Sequence, residues 1–365
     1  MRPTLDAVRR AADLATIERG GDFVFGDPAD GPAPPQRLAA LSADAPGVEA
    51  VHDGGLTARV YRWHDGTRRW AVKVARPQAL VRNDDGRCSF LNELHRHAEL
   101  RALRATGVAL PGVAAPVYGS LRQGVLVSPW IEGDLVDTFD DPRRLRQLLA
   151  TGAALVAHGF FEWDFCPGNV IDDGAQVWLF DFGYMYRFDP LAQLNSAGHG
   201  DDCPQFHLAE RIETRNAFAW LLAVERRDGR SAALAAFAGL KRITLAAYRA
   251  LRATLATRGA QPRVLDWLDT IAGRWAAALD GDLAPLYLQE GWRSHALDLE
   301  DDLHGQTCTP TTLARADWLI ATATNAHEAL SDGGALFGPD AALDRARLVQ
   351  RYRERRAAAQ TFLRR

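Results

Sequence analysis

The sequence predicts an α+β chain in two parts: a small antiparallel sheet with one helix, then a large, mainly α-helical region. Three observations lead there. Between residues 48 and 74, three short runs rich in β-branched and aromatic residues (48–52, 58–63 and 70–74) are separated by Asp-Gly-Gly and by His-Asp-Gly-Thr, both turn sequences. A helical run at 89–106 follows, and then two further strand-like runs at 113–118 and 124–128. From Pro142 onward most apolar residues recur with the helical period.

The elements divide the chain into three stretches. Residues 1–45 read as an accessory segment, with a helix over 5–17 and a Gly/Pro-rich connection over 26–35. Residues 46–130 hold the sheet and its helix. Residues 131–365 hold helices expected at 142–158, 217–225, 231–257, 263–280, 311–330 and 341–362. No internal repeat is present.

Bulk composition excludes several classes. The 365 residues are 47% hydrophobic and 24% charged, as in ordinary globular proteins. A formal charge of −3 gives no general attraction to nucleic acid or to an anionic membrane. No apolar run approaches the roughly 18 residues that a membrane span needs. The first residues carry no apolar segment behind them, so no secretory signal is expected. Cys88, Cys166, Cys203 and Cys308 are scattered and form no Cys-x-x-Cys, which points to a reduced, cytoplasmic protein.

One compositional fact is sharper. Among 43 basic residues only Lys73 and Lys241 are lysines. Lys73 lies in an apolar strand, Ala71-Val72-Lys73-Val74. An ammonium is a compact point charge on a thin stem and reaches phosphate oxygens in a tight cleft, where a planar guanidinium is bulkier. Downstream, Asp164-Phe165-Cys166-Pro167-Gly168-Asn169 is followed by Asp181-Phe182-Gly183, twelve residues after Asn169, with a strand-turn-strand between them. Separately these tripeptides and spacings are weak; in this order behind Lys73 they place three oxygen ligands and one cation where a phosphate and its metal would be handled.

This ordered set resembles the protein-kinase-like superfamily, and within it the aminoglycoside and choline phosphotransferase branch. The resemblance covers residues 48–183. It implies a bilobal protein-kinase-like fold, with ATP and Mg²⁺ as cofactors and a hydroxyl-bearing acceptor, either a small molecule or a protein. It implies that Asp164 orients and deprotonates the acceptor, that Asn169 and Asp181 bind Mg²⁺, and that Lys73 holds the nucleotide phosphates. A helix glutamate should pair with Lys73. Both Glu93 and Glu99 qualify, and because they lie on different helix faces only one can reach it; Phe90-Leu91-Asn92-Glu93 favours Glu93. The glycine-rich loop of the family is reduced to Asp53-Gly54-Gly55-Leu56-Thr57, whose Gly54, Gly55 and Thr57 are candidates to approach phosphates, although the same residues suit a plain hairpin turn.

Departures from the family pattern bear on the acceptor. Glu162 and Trp163 stand where the family has His-Arg or His-Gly before the catalytic Asp, and Cys166 stands where most protein kinases have Lys. The His of the family packs beneath the second metal motif, a task Glu162 cannot perform in the same way. Pro167-Gly168-Asn169 favours a small-molecule acceptor, Asp181-Phe182-Gly183 a protein Ser/Thr acceptor. A pseudokinase or binding scaffold, and nucleotidyl transfer, are the remaining alternatives. His199, Cys203 and His207, with His304 and Cys308 downstream, have the spacing of a metal site, but Pro204 prevents one helix from presenting all three, and an acceptor-facing segment is the preferred reading. Arg345, Arg347, Arg351, Arg353, Arg355 and Arg356 read as a solvated helix face.

Overall fold

The computed structural model describes residues 2–81 and 83–363. The chain is mixed α/β, with small antiparallel sheets first and a helical C-terminal part. In order it runs α1 (Leu5–Glu18), β1 (Val24–Gly26), α2 (Pro35–Ala39), β2 (Val48–His52), β3 (Ala58–His64), β4 (Arg69–Ala75), α3 (Asp84–Ala105), β5 (Tyr118–Ser120), β6 (Val125–Pro129), β7 (Asp134–Leu135), α4 (Pro142–Ala157), β8 (Phe160–Glu162), β9 (Val170–Asp172), β10 (Val177–Leu179) and β11 (Met185–Arg187). The helices α5 (Leu208–Ile212), α6 (Phe218–Asp228), α7 (Arg230–Thr257), α8 (Pro262–Asp280), α9 (Ala284–Gly305), α10 (Pro310–Asn325), α11 (His327–Asp332) and α12 (Arg345–Thr361) come after them. A π-helical turn, Glu213–Ala217, joins α5 to α6.

The main sheet has six strands in the order β1-β5-β6-β4-β3-β2, all antiparallel. Side chains alternate across a strand, and β4 uses this to divide its residues. Trp70 and Val72 join Tyr61, Trp63, Val125 and Val127 under α2, where Leu38 is buried. Lys73 falls on the opposite face, with Leu126, Phe90 and Leu94 of the α3 side. The helical part has its own core, in which α4, α7 and α8 pack around Phe218, Phe237, Tyr248 and Trp275.

Several elements differ from expectation. The segment before residue 46 supplies β1 to the main sheet, and α1 packs on α3, with Arg10 gripping Asp85 at 2.8–3.1 Å and the Arg9 guanidinium 3.7 Å from the Tyr186 ring centre. Helix α3 begins five residues before the expected start, because Asn83 caps Gly86 N–H at 2.8 Å and Asp84 and Asp85 suit the positive end of the helix dipole. The strand expected at 113–118 shrinks to its last residue and two more; Pro116 lacks the N–H a ladder requires. The helix expected at 311–330 breaks at Ala326 into α10 and α11. Helix α9 was not expected at all. Its buried face carries Glu290, Ser294, His295 and Asp298, polar residues that erase the apolar period. No helix among the described residues is long and apolar enough to cross a membrane.

Candidate functional site

Lys73 projects from β4 toward α3 and is 8% exposed. Its Nζ lies 2.7 Å from Glu93 Oε2 and 2.8 Å from Asp181 Oδ1. Burial by itself would favour the neutral amine. The Asp181 and Glu93 carboxylates outweigh it and hold the ammonium well above its ordinary range. Burial likewise pushes Glu93 upward, but Lys73 more than compensates and the group stays a carboxylate. Asp181 ends above its ordinary value: desolvation and the nearby Glu93 and Asp164 charges exceed what the shared ammonium returns.

Helix α3 supplies the glutamate and also holds the Asp-Phe-Gly turn. Glu93 is 2% exposed on the face of α3 toward the sheet. Glu99, the other candidate, does not reach Lys73; it turns to Arg96 at 3.1 Å and Arg187 at 3.8 Å, so the expected partner of Lys73 is corrected to Glu93 alone. The six-residue offset is the reason, since it rotates Glu99 off the inner face. One residue before Glu93, the Asn92 amide donates to the carbonyls of Gly183 and Met185, both at 2.9 Å, and of Phe182 at 3.4 Å. His97, one turn on, lies with its ring 5.0 Å from that of Phe182. Sequence reasoning missed Asn92 and His97; His97 is the imidazole that packs on the Asp181-Phe182-Gly183 turn, from α3 rather than from position 162. A Cβ on Gly183 would come within 3.1 Å of Ser89 Cβ, so the turn and α3 meet closely.

The two motifs meet through a hairpin. Strands β9 and β10 pair Val170 with Leu179, and Phe180 N–H donates to Asn169 C=O at 3.1 Å, which sets Asn169 beside the start of Asp181-Phe182-Gly183. Asn169 donates its amide N–H to the Asp164 carbonyl at 3.0 Å, so its amide oxygen remains for a cation. Asp181 holds a left-handed backbone, φ 63°, a strained conformation for a residue with a side chain. Its Oδ1 meets Lys73 Nζ at 2.8 Å. An amide oxygen and a carboxylate oxygen are the hard donor types Mg²⁺ takes when water and phosphate complete its shell. Asn169 and Asp181 therefore fit the metal and would hold it.

Asp164 has neighbours the sequence did not indicate. Arg215 Nε donates to Asp164 Oδ1 at 2.9 Å. Burial works to raise Asp164, and Arg215 overrides it, so the carboxylate stays below its ordinary range. Glu162 accepts from the Asp164 N–H at 2.7 Å through one oxygen, while its other oxygen is buried with no partner among the described residues. Desolvation, helped by the Asp164 and Asp181 charges, raises Glu162 well above its usual range. Burial also pushes the Cys166 thiol up, which removes it as a thiolate. Trp163 stacks edge-on with Phe161 and Phe206, and its indole N–H donates to Ser196 Oγ at 2.9 Å.

The Asp53–Thr57 loop is organised by Arg76, which donates to the Gly55 carbonyl at 2.9 Å and to Asp53 at 2.6 Å. A Cβ on Gly54 would meet nothing, whereas one on Gly55 would fall 2.5 Å from the Ala58 carbonyl. Gly55 is thus required by the hairpin itself. The His199, Cys203 and His207 set does not converge: His199 binds Asp202 at 2.8 Å, His207 is buried against the Tyr248 hydroxyl at 2.7 Å, and no group of three His, Cys, Asp or Glu among the described residues is placed to hold a metal. On α12, Arg351, Arg355 and Arg356 are paired with Asp340, Glu300 and Asp317.

No protein-family model and no curated protein matches the chain. Among solved structures it is similar to the bifunctional kinase-methyltransferase WbdD, at a TM-score of 0.31 and 17% identity over 56% of this chain and 48% of that one. The match spans about half the length of that protein.

Proposed function

We propose that the protein is a bilobal, kinase-like phosphotransferase that moves the γ-phosphate of Mg²⁺-bound ATP to a hydroxyl. The observation that carries this is the Lys73 ammonium held between Glu93 and Asp181, which joins the strand lysine, the helix glutamate and the Asp-Phe-Gly turn in one cluster. The small lobe is then residues 46–130 together with α1, β1 and α2 before them, and the large lobe follows from residue 131.

In this reading Lys73 binds the nucleotide phosphates, and Glu93 keeps the ammonium aimed at them. Gly54, Gly55 and Thr57 cover the phosphates from the β2–β3 turn. Asp164, charged in the fold, accepts a hydrogen bond from the acceptor hydroxyl and then its proton. The hydroxyl oxygen bonds to the γ-phosphorus as the bridging P–O bond breaks, and ADP leaves with the electron pair. Bound Mg²⁺ at Asn169 and Asp181 supplies charge neutralisation at the phosphates. A small-molecule acceptor is favoured by Pro167-Gly168-Asn169 and by Cys166 in place of a lysine. Four free cysteines suit a reducing cytoplasm.

The test is ADP release with Mg²⁺ by the wild-type chain and by Asp164→Ala and Asp181→Ala, offered hydroxyl-bearing small molecules and a protein substrate in turn. Each variant should lose at least about 100-fold in turnover. Full turnover by Asp181→Ala contradicts the proposal. Nucleotide binding without turnover supports a scaffold, and the mass added to a modified acceptor distinguishes phosphoryl from adenylyl transfer.

A further inference from the structure

The π-helical turn Glu213–Ala217 is fixed on every side except one. Glu213 is buried against Lys241, and Arg293 donates to it at 3.4 Å. The Thr214 hydroxyl donates to Glu210 at 2.6 Å, and the Thr214 carbonyl accepts from the buried Arg315 at 2.8 Å. Asn216 donates to the Val136 carbonyl at 2.9 Å and the Phe165 carbonyl at 3.3 Å, the latter one residue beyond Asp164. Arg215 is the residue of this turn aimed at the cleft. Its Nε donates to Asp164 and its Nη1 to Asp298, whose other oxygen lies 2.9 Å from Arg315 Nε.

Residues two apart on a helical turn face different sides, so Glu213 anchors the turn inward while Arg215 faces Asp164. A π turn inserts one residue into a helix and re-aims the side chains beyond it, a device common at functional sites. The guanidinium has a planar fork that can hold two carboxylates at a fixed angle, and here it ties Asp164 to Asp298 of α9. Asp298 is itself held by Arg315, so the Arg215 arm is braced from behind.

We propose that Arg215 is the positioning residue for Asp164, fixing the direction in which that carboxylate meets the acceptor hydroxyl. The proposal rests on the phosphotransferase reading above. Arg215 acts through Asp164 and leaves the nucleotide contacts of Lys73, Glu93 and Asp181 intact. Its loss therefore lowers kcat and spares the KM for MgATP, because misaligning one reacting group by about 1 Å costs on the order of 100-fold.

The experiment measures steady-state ADP release, with Mg²⁺ and water or the best acceptor, for the wild type, Arg215→Lys and Arg215→Ala, alongside thermal melting. Arg215→Ala should lose roughly 100-fold in kcat with the KM for MgATP unchanged within about twofold. Added guanidinium should restore part of that loss, and sodium chloride at equal ionic strength should not. Arg215→Lys, which keeps the charge and disturbs packing least, should fall between the two. Unchanged kcat in Arg215→Ala overturns the proposal. So does a kcat loss matched by a raised KM and a lowered melting temperature in both variants, with no guanidinium rescue. If the wild type itself releases no ADP, the phosphotransferase reading falls and the proposal falls with it; a dead Asp164→Ala beside a fully active Arg215→Ala overturns the proposal alone.

Discussion

Lys241 repeats, inside the helical part, the arrangement that Lys73 has at the sheet. Lys73 lies between Glu93 and Asp181; Lys241 lies between Glu213 and Glu290, fully buried, with its ammonium 4.4 Å from the Trp275 ring centre. A chain that uses arginine for nearly all its positive charge has kept lysine at the two places where one compact cation is closed in between two carboxylates. An ammonium is a point charge that two carboxylates can approach from any side, whereas a guanidinium presents a planar fork, as Arg215 does to Asp164 and Asp298. The first site faces the cleft. The second anchors the turn that carries Arg215.

Replacing Lys241 tests that anchoring role. Lys241→Met leaves Glu213 and Glu290 buried without their cation, and breaking a buried pair this way costs about 3–5 kcal/mol. Urea unfolding should show a loss of that size. A loss under about 1 kcal/mol would mean that Arg293 and Arg274 suffice to neutralise the two carboxylates.

Glu93 and Glu99 separate cleanly by mutation. Glu93→Gln removes the charge that orients Lys73 and should lower ATP turnover by roughly 10- to 100-fold. Glu99→Gln touches only the pairs to the buried Arg96 and the exposed Arg187, neither of which meets Lys73, and should stay within about twofold of wild type. Equal losses would show that α3 presents a different face to Lys73.

Glu162 makes stability depend on pH. Its folded-state pKa is raised well above the ordinary 4.5, so the native state binds a proton that the unfolded chain releases. Stability from this group is whole below pH 4.5 and declines as pH rises toward the folded value, by about 1.4 kcal/mol for each pH unit in that window. Glu162→Gln keeps the shape and removes the titration. Melting temperatures should show the variant gaining on the wild type as pH rises through the range above 4.5. A constant difference across that range would mean that Glu162 is ionised in the fold.

The features legible in the sequence were local in the chain. The strands around Lys73, the Asp164–Asn169 spacing and the Asp-Phe-Gly turn all lie in short stretches whose patterns survive without tertiary information. Glu93 and Glu99 could be recognised as alternatives but not separated with certainty, since the choice depends on how α3 is rotated against the sheet. Arg215, Asp298, Asn92 and His97 escaped notice because their partners lie about 50 to more than 80 residues away, and no spacing announces such pairs. Helix α9 was hidden by the same chemistry that makes it useful: a buried polar face reads as no face at all.

The most direct test of the nucleotide site is calorimetric titration of ATP into the wild type and Asp181→Ala, each with Mg²⁺ and with EDTA. Wild-type binding should depend on Mg²⁺, and Asp181→Ala should lose that dependence while retaining residual binding through Lys73. Wild-type binding of ATP that is absent, or equal with and without Mg²⁺, or a metal dependence that survives in Asp181→Ala, would contradict the assignment of Lys73, Asn169 and Asp181 to a metal–phosphate site.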